Sequence, residues 1–470
     1  MIRPRQTLVF LILLLFTSLF LQAQSVGNTI DLSLEKALKL SGSNASKIKL
    51  KIRELKKAQL EYEKTKTKLY PKIDLQASSS YMTNPPEGIT IHKGELGFAP
   101  SPNSQFPVPL PDRDYVLVED TKHTYFKITT KLTQPIFTWN KIRNAIELAS
   151  IEREIKEDEL KKEKLNTLYN LKLAYYSGIL ARDSLSELRE IKKTLIEINR
   201  DKEDSFKEGL ITREELLKSR ASLAATEMQI VEAEENYRTS IETIRLLTDI
   251  EEDAEVKLSS GFASARINMD EDELKSEALK NSPDLAVARK KVLEASRYLS
   301  VKKAEGILRP DFSLIVTLDI TGQQIPIVGS NWTMDWDKNF IFSLGTSMKI
   351  FDMGESRLEA RESEEDLKMA EQGLRDYRRL VSMNVRKAVQ EAKVSYYTML
   401  SKEAELEEAG EKLKNARVSY ENELITREKY GLAEINFHSK KMEYLLSQFN
   451  YSKAVSDLER LTGMKLRKLQ

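Results

Sequence analysis

The chain reads as an α+β membrane protein made of two copies of one unit, each joining long helices to a pair of strands. Three observations predict this. The chain opens on an export leader, it repeats itself at a constant offset, and it carries alternating segments long enough to cross a bilayer.

The leader comes first. Arg3 and Arg5 precede an apolar run from Leu8 to Leu21, followed by Gln22, Ala23, Gln24 and Ser25. A basic start, a short apolar core and a small residue near the cut describe a cleaved secretory signal, so residues 1–24 are assigned to it. The run falls short of the roughly 20 residues a spanning helix needs, and no later stretch approaches even that length. A mature chain in a membrane would then be there as a β-barrel, because only helices and closed barrels satisfy the backbone in lipid.

Composition narrows the chemistry. Of 470 residues 31% are charged, with only 17 Gly and 13 Pro, which favours long charge-laced helices over a compact globule. Lys and Arg (74) nearly cancel Asp and Glu (73), so no global field argues for nucleic acid. Cys is absent, excluding disulfides, thiolate metal sites, a nucleophilic Cys and a Cys-borne lipid anchor. The three His (His92, His123, His438) are too scattered to suggest a metal site. No Ser/His/Asp spacing, phosphate loop or paired carboxylates stand out, so neither an enzyme nor a cofactor is expected.

The repeat is explicit. Leu210-Ile211-Thr212-Arg213-Glu214 recurs as Leu424-Ile425-Thr426-Arg427-Glu428, an offset of 214. Ile136-Phe137 recurs as Ile350-Phe351 and Leu247-Thr248 as Leu461-Thr462 at that same offset of 214. Apolar Leu223, Ile230, Tyr237 and Ile244 map onto Phe437, Tyr444, Tyr451 and Leu458. The first repeat is placed at 25–250, a linker at 251–268 and the second repeat at 269–470. Upstream, Leu69-Tyr70-Pro71 resembles Leu308-Arg309-Pro310 at an offset of 239, so the first copy carries 25 extra residues before Ile136. Seven of the 13 prolines fall there, and residues 83–122 are expected to be a surface loop with neither strand nor helix.

The elements follow in order. Residues 33–69 predict a short helix, with Ser282 and Pro283 marking the N-cap and first position of its counterpart. Arg143 to Ser205 predicts a long helix of about 100 Å, with apolar Leu188, Ile191, Leu195 and Ile198 at heptad spacing. A break at Lys207-Glu208-Gly209 precedes a returning helix from Arg213 to Leu247. Between short and long helix each copy has two alternating segments of about 10 residues, as a tilted transmembrane strand requires. Ile73, Leu75, Ala77 and Tyr81 form one, and Phe126, Ile128 and Leu132 another, alternating with Lys127, Thr129 and Lys131. Phe312, Leu314, Val316, Leu318 and Ile320 alternate with Ser313, Thr317 and Asp319. Phe340, Phe342, Leu344, Met348 and Ile350 alternate with Ser343, Gly345, Ser347 and Lys349. Lys127, Lys131, Asp319 and Lys349 are expected on a polar inner face. Asn331-Trp332-Thr333 reads as loop, with Trp332 and Trp336 as candidate rim anchors. Four strands cannot close a barrel, since small ones take about eight, so strands in lipid force oligomerisation.

At this point the residues resemble a family. The order helix, strand, loop, strand, long helix, break, helix, given twice, is similar to that of the TolC-like outer-membrane efflux proteins from Ile30 to Leu466. The motifs carrying the resemblance are Leu69/Pro71 with Leu308/Pro310, Gln134-Pro135-Ile136-Phe137, and the turn Gly209-Leu210-Ile211-Thr212. The resemblance implies a homotrimer with a twelve-stranded barrel and a coiled-coil periplasmic tunnel, set in outer-membrane lipid. It implies an exit duct for efflux or one-step secretion, served by an inner-membrane pump and a periplasmic adaptor. It places Gly209, Leu210, Ile211, Thr212, Glu423, Leu424, Ile425 and Thr426 at the periplasmic tip, against the adaptor. Glu423 stands where the family usually has Gly. Tyr420 and Glu215 fit gate positions, although Lys429 departs from the acidic pattern in the second copy. Arg213, Glu214, Arg427 and Glu428 are candidates for a substitute ionic latch. The alternative is a periplasmic coiled-coil adaptor or structural protein.

Overall fold

A computed structural model describes residues 30–103, 105–251, 253–262, 265–267, 269–322 and 336–466. The first copy runs β1 (Ile30–Leu32), α1 (Leu34–Asn44), α2 (Ser46–Thr67), β2 (Lys72–Tyr81), β3 (Ile89–Ile91), β4 (Phe98–Ala99), β5 (Val108–Pro109), β6 (Tyr115–Val118), β7 (Thr124–Phe137), α3 (Lys141–Lys207) and α4 (Arg213–Thr248). After β8 (Val256–Leu258) come α5 (Glu271–Asn281), α6 (Pro283–Ala304), β9 (Asp311–Gly322), β10 (Trp336–Ser347), α7 (Glu355–Glu421) and α8 (Arg427–Thr462). The repeat is kept to the residue: α3 and α7 are both 67 residues and α4 and α8 both 36, with boundaries 214 apart. The leader and Trp332 lie outside the described residues.

The chain divides into two compact units. One holds the residues up to Lys57, Arg153–Val292 and those from Ala370 on; the other holds Ala58–Glu152 and Leu293–Met369.

The second unit contains a four-stranded antiparallel sheet in the order β10-β9-β7-β2. Its register sorts side chains by polarity. Phe126, Ile128 and Leu132 of β7 lie opposite Gly322, Ile320 and Val316 of β9, and Val316 in turn lies opposite Phe342 of β10. On the other face Lys127, Thr129 and Lys131 lie opposite Thr321, Asp319 and Thr317. There Thr129 Oγ1 donates to Asp319 at 2.6 Å and Lys127 Nζ pairs with the same carboxylate at 3.5 Å. Side chains alternate across a strand, so one slip in register would mix the faces. At one end Trp336 stacks on Phe126, its ring filling the space a Cβ at Gly322 would take.

Three expectations need correction. The Pro-rich segment is not strandless, since β3 pairs with β6 and β4 with β5. Proline is tolerated at such edges because it removes only a donor, and Pro109 itself closes β5. The last strand stops at Ser347, which leaves Met348 and Ile350 beyond it. Lys349 therefore leaves the sheet face and pairs with Asp352 at 3.5 Å. Asp352 in turn accepts from the Gly354 and Ser356 amides at 3.1 Å each, at the start of α7.

The first unit is helical apart from β1 and β8, which pair in parallel across 226 residues of chain. No period announces strands this short, and the expected linker hid one of them. Tyr175 holds the pair: its hydroxyl donates to Leu32 O at 2.7 Å and accepts from Ser260 N at 2.9 Å. Gly178 on α3 is needed here, because a Cβ would sit 2.7 Å from Leu258 Cδ1. The short helix expected over 33–69 is broken at Ala45, whose ψ of 130° is not helical. Its counterpart is broken at Ser282, whose hydroxyl accepts from Leu285 N at 3.4 Å. The heptad residues Leu188, Ile191, Leu195 and Ile198 are buried. In the second copy their equivalents are Lys402, Glu405, Ala409 and Lys412. There an apolar layer becomes an ionic square: Lys402 pairs with Glu443 at 2.7 Å and Glu405 at 3.0 Å, and Lys440 with Glu405 at 2.9 Å and Glu443 at 3.1 Å.

Asp158 on α3 is buried between Lys290 (2.7 Å) and Lys161 (3.0 Å). Burial alone would raise its pKa, but the two lysines outweigh it and hold the carboxyl below its ordinary value. A depressed carboxylate stabilises the fold above its unfolded pKa, and that contribution is lost as pH falls through the folded value. Asp158→Asn should cost about 1–3 kcal/mol near neutral pH and flatten the loss of stability below about pH 4. Thermal unfolding in detergent across pH 3–7 checks this; superimposable profiles would disprove it.

Candidate functional site: the two helix turns and the polar cluster beside them

Each long helix ends in the same turn. In the first copy Leu210 N donates to Ser205 O (2.9 Å) and Gly209 N to Phe206 O (3.0 Å). In the second, Leu424 N donates to Ser419 O (2.8 Å) and Glu423 N to Tyr420 O (2.9 Å). This 6→1 and 5→2 pairing is the Schellman motif, which satisfies orphan carbonyls and needs a left-handed residue at C′. Gly209 supplies it at φ +74°, and Glu423 adopts φ +59° against the steric preference of a side chain. The missing glycine therefore leaves the turn unchanged. Thr212 and Thr426 then cap the returning helices, accepting from Glu215 N at 3.2 Å and Lys429 N at 3.3 Å. The apolar residues of the turns stand uncovered, Leu210 at 72% and Leu424 at 76% exposure.

The sequence-selected gate residues separate into two groups. Glu215 is taken up locally, its carboxylate accepting from Thr212 N at 3.0 Å to complete a capping box. Lys429 occupies the equivalent place and, lacking an acceptor, cannot reciprocate. Arg213 and Glu214 are exposed. Tyr420, Arg427 and Glu428 instead enter one cluster between the copies. Arg427 pairs with Glu197 of α3 and, at 3.0 Å, with Glu434. Its guanidinium lies over the rings of Tyr430 (5.0 Å) and Tyr420 (6.0 Å), which stack on each other at 5.2 Å. Glu428 pairs with Lys202 at 2.9 Å. Burial works against the Arg427 charge, yet Glu197 and Glu434 hold its pKa above the ordinary value. Burial raises the Tyr430 hydroxyl, and Glu434 adds to that.

The cluster continues as a seam along α3 and α8. Gly431 seats against Ile198, where a Cβ would come within 2.9 Å of Cδ1. Glu434 accepts from Thr194 at 3.4 Å, and buried Glu187 is held at 2.7 Å by both His438 and Lys441. Sequence reasoning missed Tyr430, Glu434, Glu197 and Glu187. The first two lie three and seven residues after Arg427, on one helix face. Glu197 and Glu187 belong to the other copy, and nothing local marks them.

This arrangement can hold and release a helix pair, but it offers no reacting group. Among the described residues no helix is long and apolar enough to cross a membrane, and no group of His, Cys, Asp or Glu is placed to hold a metal. Paired helical hairpins with an amphipathic sheet form the framework of a channel, with alternating faces as the membrane-crossing device. The chain belongs to the outer membrane efflux protein family, whose model matches residues 44–248 and 274–464. It is thus an outer-membrane efflux channel protein, and the coiled-coil adaptor alternative is set aside. No curated protein sequence matches it. Its fold is similar to that of the Campylobacter jejuni CmeC outer membrane channel, at 17% identity and a TM-score of 0.73, covering 93% of this chain and 87% of that one. It is similar also to the Vibrio cholerae outer membrane protein VceC, at 14% identity and 0.66, covering 92% and 96%. The open Neisseria gonorrhoeae MtrE outer membrane channel matches at 12% identity and 0.68, covering 95% and 94%.

The turns give a direct test of the left-handed requirement. Gly209→Ala should weaken the first turn by about 1 kcal/mol, and Glu423→Gly should strengthen the second by up to about 1 kcal/mol. Amide hydrogen exchange at Leu210 and Leu424 reads both locally. Slower exchange in Gly209→Ala would contradict the assignment.

Proposed function

We propose that the protein works as the homotrimeric exit duct of a tripartite efflux system, passing cargo from an inner-membrane pump through a periplasmic adaptor. The carrying observation is the four-stranded sheet: it has an apolar face, and β2 and β10 stand at its two edges. Open edges carry unpaired backbone groups, which hydrocarbon does not tolerate. Strands β2, β7, β9 and β10 run 10, 14, 12 and 12 residues, enough for a tilted crossing. Pairing β10 of one chain with β2 of the next satisfies the edges, and three chains give twelve strands around a lumen lined by the Lys127, Lys131 and Asp319 face. Phe340, Phe342 and Leu344, all exposed in the single chain, then meet lipid.

The two turns, Gly209-Leu210-Ile211-Thr212 and Glu423-Leu424-Ile425-Thr426, form the periplasmic tip and receive the adaptor. Uncovered Leu210 and Leu424 supply the apolar contact such docking needs. The Tyr420, Arg427 and Glu428 cluster serves as the latch that holds the tip narrow. Its bonds join the two copies, so opening must break them.

Light scattering of the detergent-extracted protein should give three times the 53.9 kDa of the full chain, less the removed leader; a monomer would sink the barrel. Arg427→Ala should raise basal single-channel conductance in planar bilayers, since it removes the ion pairs to Glu197 and Glu434. Unchanged conductance would remove the cluster from the gate.

A further inference from the structure

The internal repeat supplies a template for a seam that one chain cannot show. Helix α3 is packed on two sides. One side meets α4 through Glu203–Arg220 (2.8 Å), Lys192–Glu227 (2.9 Å) and Arg189–Glu234 (3.0 Å). The other meets α8 through Glu197–Arg427, Lys202–Glu428 and Glu187–His438. Helix α8 likewise has two partners, α3 and α7. Their equivalents are served on one side only by the ion pairs described: α7 by α8, and α4 by α3. Each chain therefore presents one unpartnered face of α7 and one of α4. These are the counterparts, shifted by 214, of the α3 and α8 faces that already fit each other.

Carrying the observed contacts across by 214 residues names the pairs. Arg427 on Glu197 becomes Arg213 on Glu411, and Glu434 against Thr194 becomes Arg220 against Glu408. Both transfers bring opposite charges together. The observed seam residues Glu187, Thr194, Ile198 and Gly431 are buried, whereas Arg213, Leu217, Arg220, Glu408 and Glu411 are exposed in the single chain. Leu217, half exposed, replaces Gly431 and falls against Lys412 in place of Ile198, where an apolar stem can cover it. Further along, Lys172–Glu459 transfers to Arg386 and Arg245, a like-charged pair. Those two are already engaged, Arg386 with Glu271 at 2.8 Å and Arg245 with Ala254 O at 2.6 Å, so complementarity is concentrated near the turns.

We infer that the partner of this face is a second copy of the chain, with Arg213 and Arg220 of one protomer pairing with Glu411 and Glu408 of the next. The inference rests on the trimeric reading above and adds the residues that join its members. Arg213 then does between protomers what Arg427 does within one, and a ring of three holds six such latches, alternately within and between chains.

The absence of native Cys makes the test clean. Arg213→Cys with Glu411→Cys, treated with a short bis-maleimide in outer-membrane fractions, should give covalent dimers and trimers on a denaturing gel. Arg427→Cys with Glu197→Cys, the within-chain equivalent, should react without leaving the monomer position. Mixed single-Cys chains, one carrying each substitution, should yield dimers only. If the protein is trimeric by mass and the control pair reacts while Arg213/Glu411 gives no covalent oligomer, the seam is wrong and the channel reading stands. A monomer by mass overturns both. Arg213→Glu should lower trimer recovery in high-salt detergent, and adding Glu411→Arg should restore it; absence of rescue also counts against the pair.

Discussion

The seam between α3 and α8 joins the two copies of the repeat in the helical unit, and much else depends on it. It is polar where coiled coils are usually apolar. Glu187 is buried and satisfied only because His438 and Lys441 reach it together, and an unpaired carboxylate there would cost several kcal/mol. Close to the turns the same seam carries Arg427 between two carboxylates and over two tyrosine rings. Such contacts are strong when complete and costly when half made. A seam of this kind has two well-defined conditions, closed and broken, which a greasy interface would not give.

The hairpins differ in a way that fits this. The first is held by Leu188, Ile191 and Leu195, a dispersion-packed layer that tolerates little movement. In the second the corresponding layer holds the Lys402, Glu405, Lys440 and Glu443 square, whose members keep partial access to water. Charges near solvent separate at small cost. The second hairpin is accordingly the easier of the two to shift, and it is also the one that carries Tyr420 and Arg427.

Much of this was legible in the chain. The duplication, the helix lengths and the strand alternation follow from periodicities that local sterics enforce, 3.6 for helices and 2 for strands. The turn motif was legible because Thr212 and Thr426 are N-caps before helical stretches. Glu423 shows the limit of residue type as a guide: hydrogen bonding in the turn overrides a preference of about 1–2 kcal/mol. Strands of three residues, such as β1 and β8, carry no period at all. Glu215 was selected by its distance from Gly209, but its carboxylate is used by the nearest backbone amide.

The sequence by itself determined the class of fold, the two-copy plan, the polarity of the strand faces and the position of both turns. Each of these rests on spacing within about 70 residues, where neighbours in sequence are neighbours in space. Only the tertiary structure decided which carboxylates meet which cations: Glu197 with Arg427, Glu187 with His438, Asp158 with Lys290. In a chain with 73 acidic and 74 basic residues almost any pairing is chemically allowed. Antiparallel packing of helices more than 200 residues apart selects the few that form, and no local pattern encodes that choice.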